Sequence, residues 1–146
     1  MKAGVRARRQ SPFQFVLDEL DPIRPIVKQM FGFTHVYLDG KLLLSTRNSV
    51  KQPRFNGVWL YTHAEHIESL RKEFPLLPRR SFWRSGKNGW VILASTLEDF
   101  EEYAFRACEL ILRADQRIGR VTRGAARGER TGEGGLSKIA FGREDA

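Results

Sequence analysis

The chain has 146 residues, of which 25 are Lys or Arg and 17 are Asp or Glu, so its formal net charge is +8. This length suits one globular domain with tails. The sequence lacks both a run of about 18 apolar residues and the apolar stretch of a secretory signal, which argues against a membrane span and against export. The single cysteine, Cys108, can form no internal disulfide, and we expect a cytoplasmic location.

Positive charge is concentrated at the two ends of the chain. Residues 1–11 contribute +4, residues 12–112 contribute +1 and residues 113–146 contribute +3. We therefore predict a basic N-terminal arm over 1–11, a domain over 12–113 and a flexible Arg/Gly-rich tail over 114–146. Basic arms favour contact with a polyanion, because Lys and Arg release the counterions condensed on its phosphates. The alternative is that the arms only keep the chain soluble.

Three segments predict helix starts, because each combines a hydroxyl at the N-cap position with Glu or Gln three residues later. They are Ser11–Gln14, Thr62–Glu65 and Ser95–Glu98. Apolar residues then recur at helical spacing, most clearly in the last helix. Cys108 lies in that apolar stripe, so we expect its thiol to be buried and slow to react.

Five strands are predicted around and between these helices, and a tight turn separates the first two. Asp39-Gly40 lies between apolar runs and is typical of a type I′ hairpin. Gly32 inside the first run indicates a bulge or a close backbone approach. The predicted strands are Ile26–Leu38, Lys41–Arg47, Gly57–Tyr61, Arg79–Arg84 and Gly89–Ala94.

The predicted order α-β-β-β-α-β-β-α is typical of an α+β fold. We expect a single, mainly antiparallel five-stranded sheet with the helices on one face. The other face of such a sheet can be open to solvent or to a ligand. No strand is followed by a glycine-rich phosphate loop, which disfavours a dinucleotide-binding fold.

Three features in chain order carry a resemblance to a known family. They are Met30-Phe31-Gly32, the hairpin Tyr37-Leu38-Asp39-Gly40-Lys41, and a Trp90-bearing strand that runs into a final acidic helix. Over residues 12–113 the chain resembles the N-terminal domain of TfoX/Sxy competence regulators and the related MmcQ/YjbR-like proteins. The resemblance implies a small α+β domain with one antiparallel sheet, no known active site and an association with transcriptional regulation.

The residues that could carry catalysis or bind a metal are few. His63 and His66 are spaced so that both could face a metal, but no second ligand cluster accompanies them, and we interpret them as surface residues. His35 is expected to face solvent or to be hydrogen-bonded on its strand. No nucleophile, base and oxyanion donors occur together, so we predict no catalytic site, metal site, cofactor or small-molecule substrate.

Aromatic residues interleaved with basic ones are the stronger functional signal. Strand alternation places Phe82 with Arg80 and Arg84 on one face, and Trp83 with Arg79 on the other. Whichever face is exposed could stack bases while its guanidinium groups contact phosphate. The alternative is that these aromatics pack beneath the helices. The candidate nucleic-acid-binding residues of this segment are Arg79, Arg80, Phe82, Trp83, Arg84 and Lys87.

Six further arginines recur every three or four residues after the last helix. A helix would gather them on one side, but three intervening glycines disfavour a stable helix. We expect the last helix to fray near Arg117 and the remainder to order only on a phosphate surface, or else to be an inert solvating extension. These candidates are Arg113, Arg117, Arg120, Arg123, Arg127 and Arg130.

These signals favour a non-enzymatic regulatory or accessory module that contacts nucleic acid through its basic arms. The alternative is a protein-interaction adaptor that uses the open sheet face or the apolar residues near the end of the chain, Leu136, Ile139 and Phe141. Binding that weakens steeply with salt would favour the first, because counterion release requires it.

Overall fold

One antiparallel sheet organises residues 12–121, the part of the chain that the computed structural model describes. Its strands follow the order β1-β2-β3-β4-β6-β5, and the short β7 pairs with the N-terminal end of β3. The strands β1 and β5 therefore form the two edges of the sheet. The bounds are β1 Ile26–Met30, β2 Phe33–Leu38, β3 Lys41–Arg47, β4 Gly57–His63, β5 Phe82–Ser85, β6 Asn88–Ala94 and β7 Arg120–Val121.

Three helices pack on one face of this sheet, so the predicted α+β class is confirmed. They are α1 Gln14–Leu20, α2 Ile67–Arg71 and α3 Phe100–Leu112. Their apolar residues share one core with the strand residues Val36, Leu44, Val58, Leu60, Val91 and Leu93. Cys108 of α3 lies inside this core, which confirms its predicted burial.

The prediction of five strands was wrong, because the run predicted as one strand over Ile26–Leu38 is a second hairpin. Phe31 and Gly32 form its turn, with φ angles of 48° and 85°, and Met30 pairs with Phe33 across it. Two positive φ angles are what a two-residue primed turn needs. Phenylalanine rarely adopts this conformation, so the sequence pattern indicated a kinked strand instead.

The predicted helix starts also differ from the structure. Thr62 belongs to β4, and its hydroxyl donates to the carbonyl of Arg117 instead of capping a helix. A 3₁₀ turn over Ala64–His66 precedes α2, and α3 begins only at Phe100. Ser11 lies outside the described residues. None of the three described helices has a side-chain cap hydrogen bond.

After α3 the chain returns to the sheet. Ala114 has a φ of 58°, and the following residues turn back so that Ile118 is only 3% exposed. The amide of Gly119 donates to the carbonyl of Tyr61 at 2.6 Å. The segment 115–121 is therefore inserted beside β4 and ends in β7. The packed part of the chain continues past the domain boundary predicted at residue 113, and α3 ends before Arg117.

The Asp39-Gly40 turn gives a stability prediction. Both residues have positive φ angles, 52° and 78°, as the hairpin signal predicts. No atom lies close to where a Cβ of Gly40 would be, so a substitution there acts through the backbone alone. We expect Gly40→Val to lower the free energy of unfolding by more than about 1 kcal/mol, since a β-branched residue fits positive φ poorly. Gly40→Asn is the matched control and should cost less; chemical denaturation compares the two, and equal midpoints would contradict the assignment.

Two truncations test the role of the returning segment. A chain ending at residue 121 keeps Ile118 and the hydrogen bonds of segment 115–121, whereas a chain ending at residue 113 loses them. We expect the shorter chain to be less stable by at least about 2 kcal/mol, because burying one isoleucine side chain alone is worth about that much. Thermal and denaturant unfolding of both chains measure the difference. Equal stability would mean that segment 115–121 does not contribute to the fold.

Candidate functional site

A cleft of about 790 Å³ runs beside β5 at the edge of the sheet. Five arginines line it, together with three aromatic residues and a single acidic residue, Glu68. The arginines are Arg54, Arg71, Arg79, Arg80 and Arg84, and the aromatics are Phe55, Phe82 and Trp83. The cleft thus combines a strong positive charge with flat apolar surfaces.

The guanidinium groups of the cleft lie beside its aromatic rings. Arg71 is 5.7 Å above the ring centroid of Phe82, and Arg54 is 5.6 Å above that of Phe55. Glu68 lies 3.4 Å from both Arg71 and Arg84, but all three side chains are well exposed, so these ion pairs are weak. The charge of the cleft is therefore only partly neutralised.

Arg79 and Arg80 carry the charge that is most available to a ligand. Both are exposed, and both lie in the 3₁₀ turn Arg79–Ser81 that leads into β5. No acidic side chain among the described residues forms an ion pair with either of them. The prediction that a strand begins at Arg79 was wrong, because the strand begins at Phe82.

Most of the aromatic and basic residues predicted from this segment come together in one place. Phe82 packs at the border of the helix-side core, whereas Trp83 packs against the aromatic cluster on the opposite face. Both rings are half-buried. The cleft is therefore lined by side chains from both faces of the sheet at its β5 edge. Lys87 does not line the cleft; it is exposed in the turn between β5 and β6.

The predicted row of arginines after α3 does not form one charged surface. Arg113 is exposed at the end of α3. Arg117 donates to Asp115 at 2.7 Å and to Glu73 at 2.8 Å, and these bonds raise the pKa of its guanidinium. Arg120 is only 7% exposed, with its guanidinium 4.5 Å from the ring centroid of Trp90. The remaining three, Arg123, Arg127 and Arg130, lie outside the described residues.

The sheet face opposite the helices carries a second cluster, made mostly of aromatic residues. No residue of the three helices belongs to it. Its buried members are Phe33, Tyr37, Leu42, Phe55, Trp59, Tyr61, Trp90 and Ile92. The face that was predicted to be open therefore carries buried side chains at its centre.

A hydrogen-bonded chain of polar groups crosses this aromatic face. His35 Nδ1 lies 2.5 Å from Ser45 Oγ, which lies 2.9 Å from the hydroxyl of Tyr61. Sequence reasoning missed this chain because its members are on three different strands, brought together by strand register. Burial lowers the pKa of His35 to about 4. A Ser–His pair can act as nucleophile and base, but Ser45 is 0% exposed, so no substrate can reach it in this conformation.

The other titratable residues considered from the sequence are His63, His66 and Cys108. His63 ends β4, and its ring centroid is 6.2 Å from that of His66. Within residues 12–121, no group of three His, Cys, Asp or Glu side chains is placed to hold a metal ion. Burial, assisted by the nearby carboxylate of Glu19, raises the pKa of the Cys108 thiol to about 12.

No protein-family model, curated protein or solved structure matches this chain. The resemblance to the TfoX N-terminal domain therefore stays a prediction. Among the helices of residues 12–121, none has the length and apolar character needed to cross a membrane.

His35 makes a testable contribution to pH-dependent stability. Its pKa is about 4 in the folded state and 6.5 in the reference state, so the unfolded chain binds more protons between these values. Stability should therefore be full above about pH 6.5 and fall towards pH 4, by about 3 kcal/mol at 1.36 kcal/mol per pKa unit. Denaturant unfolding at several pH values across this range measures the free energy of unfolding. For His35→Gln this free energy should depend less steeply on pH than it does for the wild type. The matched control, His63→Gln, removes an exposed imidazole and should keep most of the slope; equal slopes in all three proteins would contradict the assignment.

Proposed function

We propose that this chain is a non-enzymatic regulatory or accessory module that binds single-stranded nucleic acid along the cleft beside β5. The observation that carries the proposal is the set of five arginines that lies around three aromatic rings at a sheet edge. The resemblance to TfoX N-terminal domains, which are associated with transcriptional regulation, supports a role of this kind.

The combination of charge and aromatic surface favours nucleic acid over other anionic partners. Stacking of a base on an aromatic side chain is worth about 1–3 kcal/mol and tolerates any base. Arginine adds phosphate contacts and can stack on a base itself. An acidic peptide would use the charge of the cleft but would gain less from the half-buried rings of Phe82 and Trp83.

The form of the cleft favours a single strand over a duplex. Bases within a duplex are stacked on each other and present only their edges, whereas unpaired bases can turn towards protein rings. The rings of Phe82 and Trp83 are half-buried, that of Phe55 is buried, and arginines line the cleft beside them. An unpaired base could enter between the guanidinium groups, while the backbone of its strand lies along Arg79 and Arg80.

A second candidate function is protein binding at the opposite edge of the sheet. The strand β1 is an edge, and its apolar residues Ile26 and Val27 are 60% and 42% exposed. Exposed, apolar edge strands pair readily with an extended segment of another chain. Such binding would rest mainly on backbone hydrogen bonds and apolar contacts, so it should depend only weakly on salt.

Salt titration of the full chain tests the cleft directly. We expect binding of a single-stranded oligonucleotide, followed by fluorescence anisotropy, to weaken as salt rises. The double variant Arg79→Gln/Arg80→Gln should bind more weakly. Its slope of log K against log salt should also be less steep by about 1.4, since each lost phosphate contact on a single strand accounts for about 0.7.

A variant with the same loss of charge elsewhere provides the matched control. Arg24→Gln/Arg106→Gln removes two arginines that do not line the cleft, and it should keep the wild-type slope. Equal losses in both double variants would mean that net charge alone drives binding. Absence of binding at low salt would refute nucleic-acid binding and leave protein binding at β1 as the better proposal.

A further inference from the structure

Phe31 presents an aromatic ring to solvent at the tip of the β1–β2 hairpin. Its side chain is 81% exposed, and its backbone has a φ of 48°. This left-handed conformation is unfavourable for a residue with a bulky side chain, and Asn or Gly would adopt it more easily. Backbone strain of this kind is concentrated at functional sites. The strained backbone and the exposed ring together make Phe31 a candidate ligand-binding residue.

A basic loop lies directly against this hairpin tip. The amide of Asn48 donates to the carbonyl of Gly32 at 3.1 Å, which places the start of the loop 48–56 beside the turn that carries Phe31. The loop carries the exposed Lys51 and Arg54. No acidic residue occurs between positions 22 and 38 or between 40 and 64, so the charge of the loop and its neighbouring strands is wholly positive.

A buried arginine holds this loop in one conformation. Arg47 donates to the carbonyls of Lys51 at 2.6 Å and Gln52 at 2.9 Å, and to Asn56 Oδ1 at 2.9 Å. Asn56 is also bonded to both the amide and the carbonyl of Ser49. A loop that is ordered before binding loses little entropy when a ligand arrives.

The same loop connects Phe31 to the cleft. Arg54 lines the cleft at one end of the loop, and Asn48 touches the hairpin tip at the other. Strand register places Phe33, Arg47, Gly57 and Ala94 in one row across the sheet, and Ala94 lines the cleft. Three strand spacings separate the ends of this row, roughly 14 Å, which is about four nucleotides of stacked strand at 3.4 Å each.

We infer that the nucleic-acid path continues from the cleft along the loop 48–56 to Phe31, where the ring stacks on a base at one end of the strand. This inference rests on the proposed function and extends it. It assigns Phe31 a binding role, and it gives the site a length of several nucleotides beyond the cleft. It also gives a reason for the exposed, strained Phe31 to lie next to the basic loop that Arg47 orders.

Oligonucleotide length separates this inference from the proposed function. A labelled oligothymidylate of four nucleotides can fill the cleft, whereas one of ten nucleotides can also reach Phe31. For Phe31→Asn we expect the affinity for the ten-nucleotide strand to fall by about 5- to 150-fold, the equivalent of one lost base stack. The affinity for the four-nucleotide strand should stay within about twofold. The melting midpoint should rise, because Asn tolerates the left-handed conformation better than Phe.

Two further variants sharpen the test. Phe31→Trp keeps a stacking surface and should retain the affinity for the long strand. Leu76→Asn replaces another strongly exposed apolar residue that does not line the cleft, and it should change neither affinity.

Each remaining outcome decides the question. If Phe31→Asn binds the long strand as tightly as the wild type while Arg79→Gln/Arg80→Gln still weakens binding, the path to Phe31 is refuted and the cleft stands. Equal losses for both strand lengths would also refute the path. If the wild type binds neither strand at low salt, the proposed function fails and the inference fails with it.

Discussion

The fold depends on one close backbone approach at the start of β4. Gly57 has a φ of 140°, and a Cβ at this position would collide with the backbone of Leu93 and Ser95. Because β4 is one of the two central strands, pairing with β3 on one side and β6 on the other, this contact lies where the hairpin half of the sheet joins the half that carries the cleft. A side chain here would separate Arg47 and its loop from Ala94 and β5, so the glycine sets the geometry of both ends of the proposed binding path.

Local signals in the sequence predicted what is local in the structure. The Asp39-Gly40 turn and the apolar stripe around Cys108 depend on residues close together in the chain, and both were confirmed. One local feature was missed, the Phe31-Gly32 turn, because Phe rarely adopts a positive φ. The other features that were missed depend on distant partners. Thr62 has the spacing of a capping residue, but it lies within β4, and its hydroxyl donates to the carbonyl of Arg117 in the returning segment after α3. The chain through His35 needs the register of three strands, and no single segment contains it.

In the candidate site, too, the sequence predicted the residues that are close together in the chain and missed those that are distant in it. The sequence identified Arg79, Arg80 and Phe82 correctly as neighbours, because a short segment carries all three. It could not identify Arg54 or Arg71, which reach the cleft from the β3–β4 loop and from α2. The near-neutral charge of residues 12–112 also concealed the site. Acidic residues gather around the start of α3, whereas arginines gather at β5, so opposite charges cancel in the sum and separate in space.

While the imidazole of His35 is neutral, the polar chain on the aromatic face has two arrangements of its protons. Ser45 has one hydroxyl hydrogen, and its oxygen lies between His35 Nδ1 and the Tyr61 hydroxyl. If Ser45 donates to the neutral imidazole, Tyr61 must donate to Ser45 and the imidazole hydrogen must be on Nε2; if Ser45 donates to Tyr61, that hydrogen must be on Nδ1. The tautomer of His35 and the orientation of both hydroxyls therefore change together. The imidazole nitrogens consequently report, by their NMR shifts, on a hydroxyl two strands away.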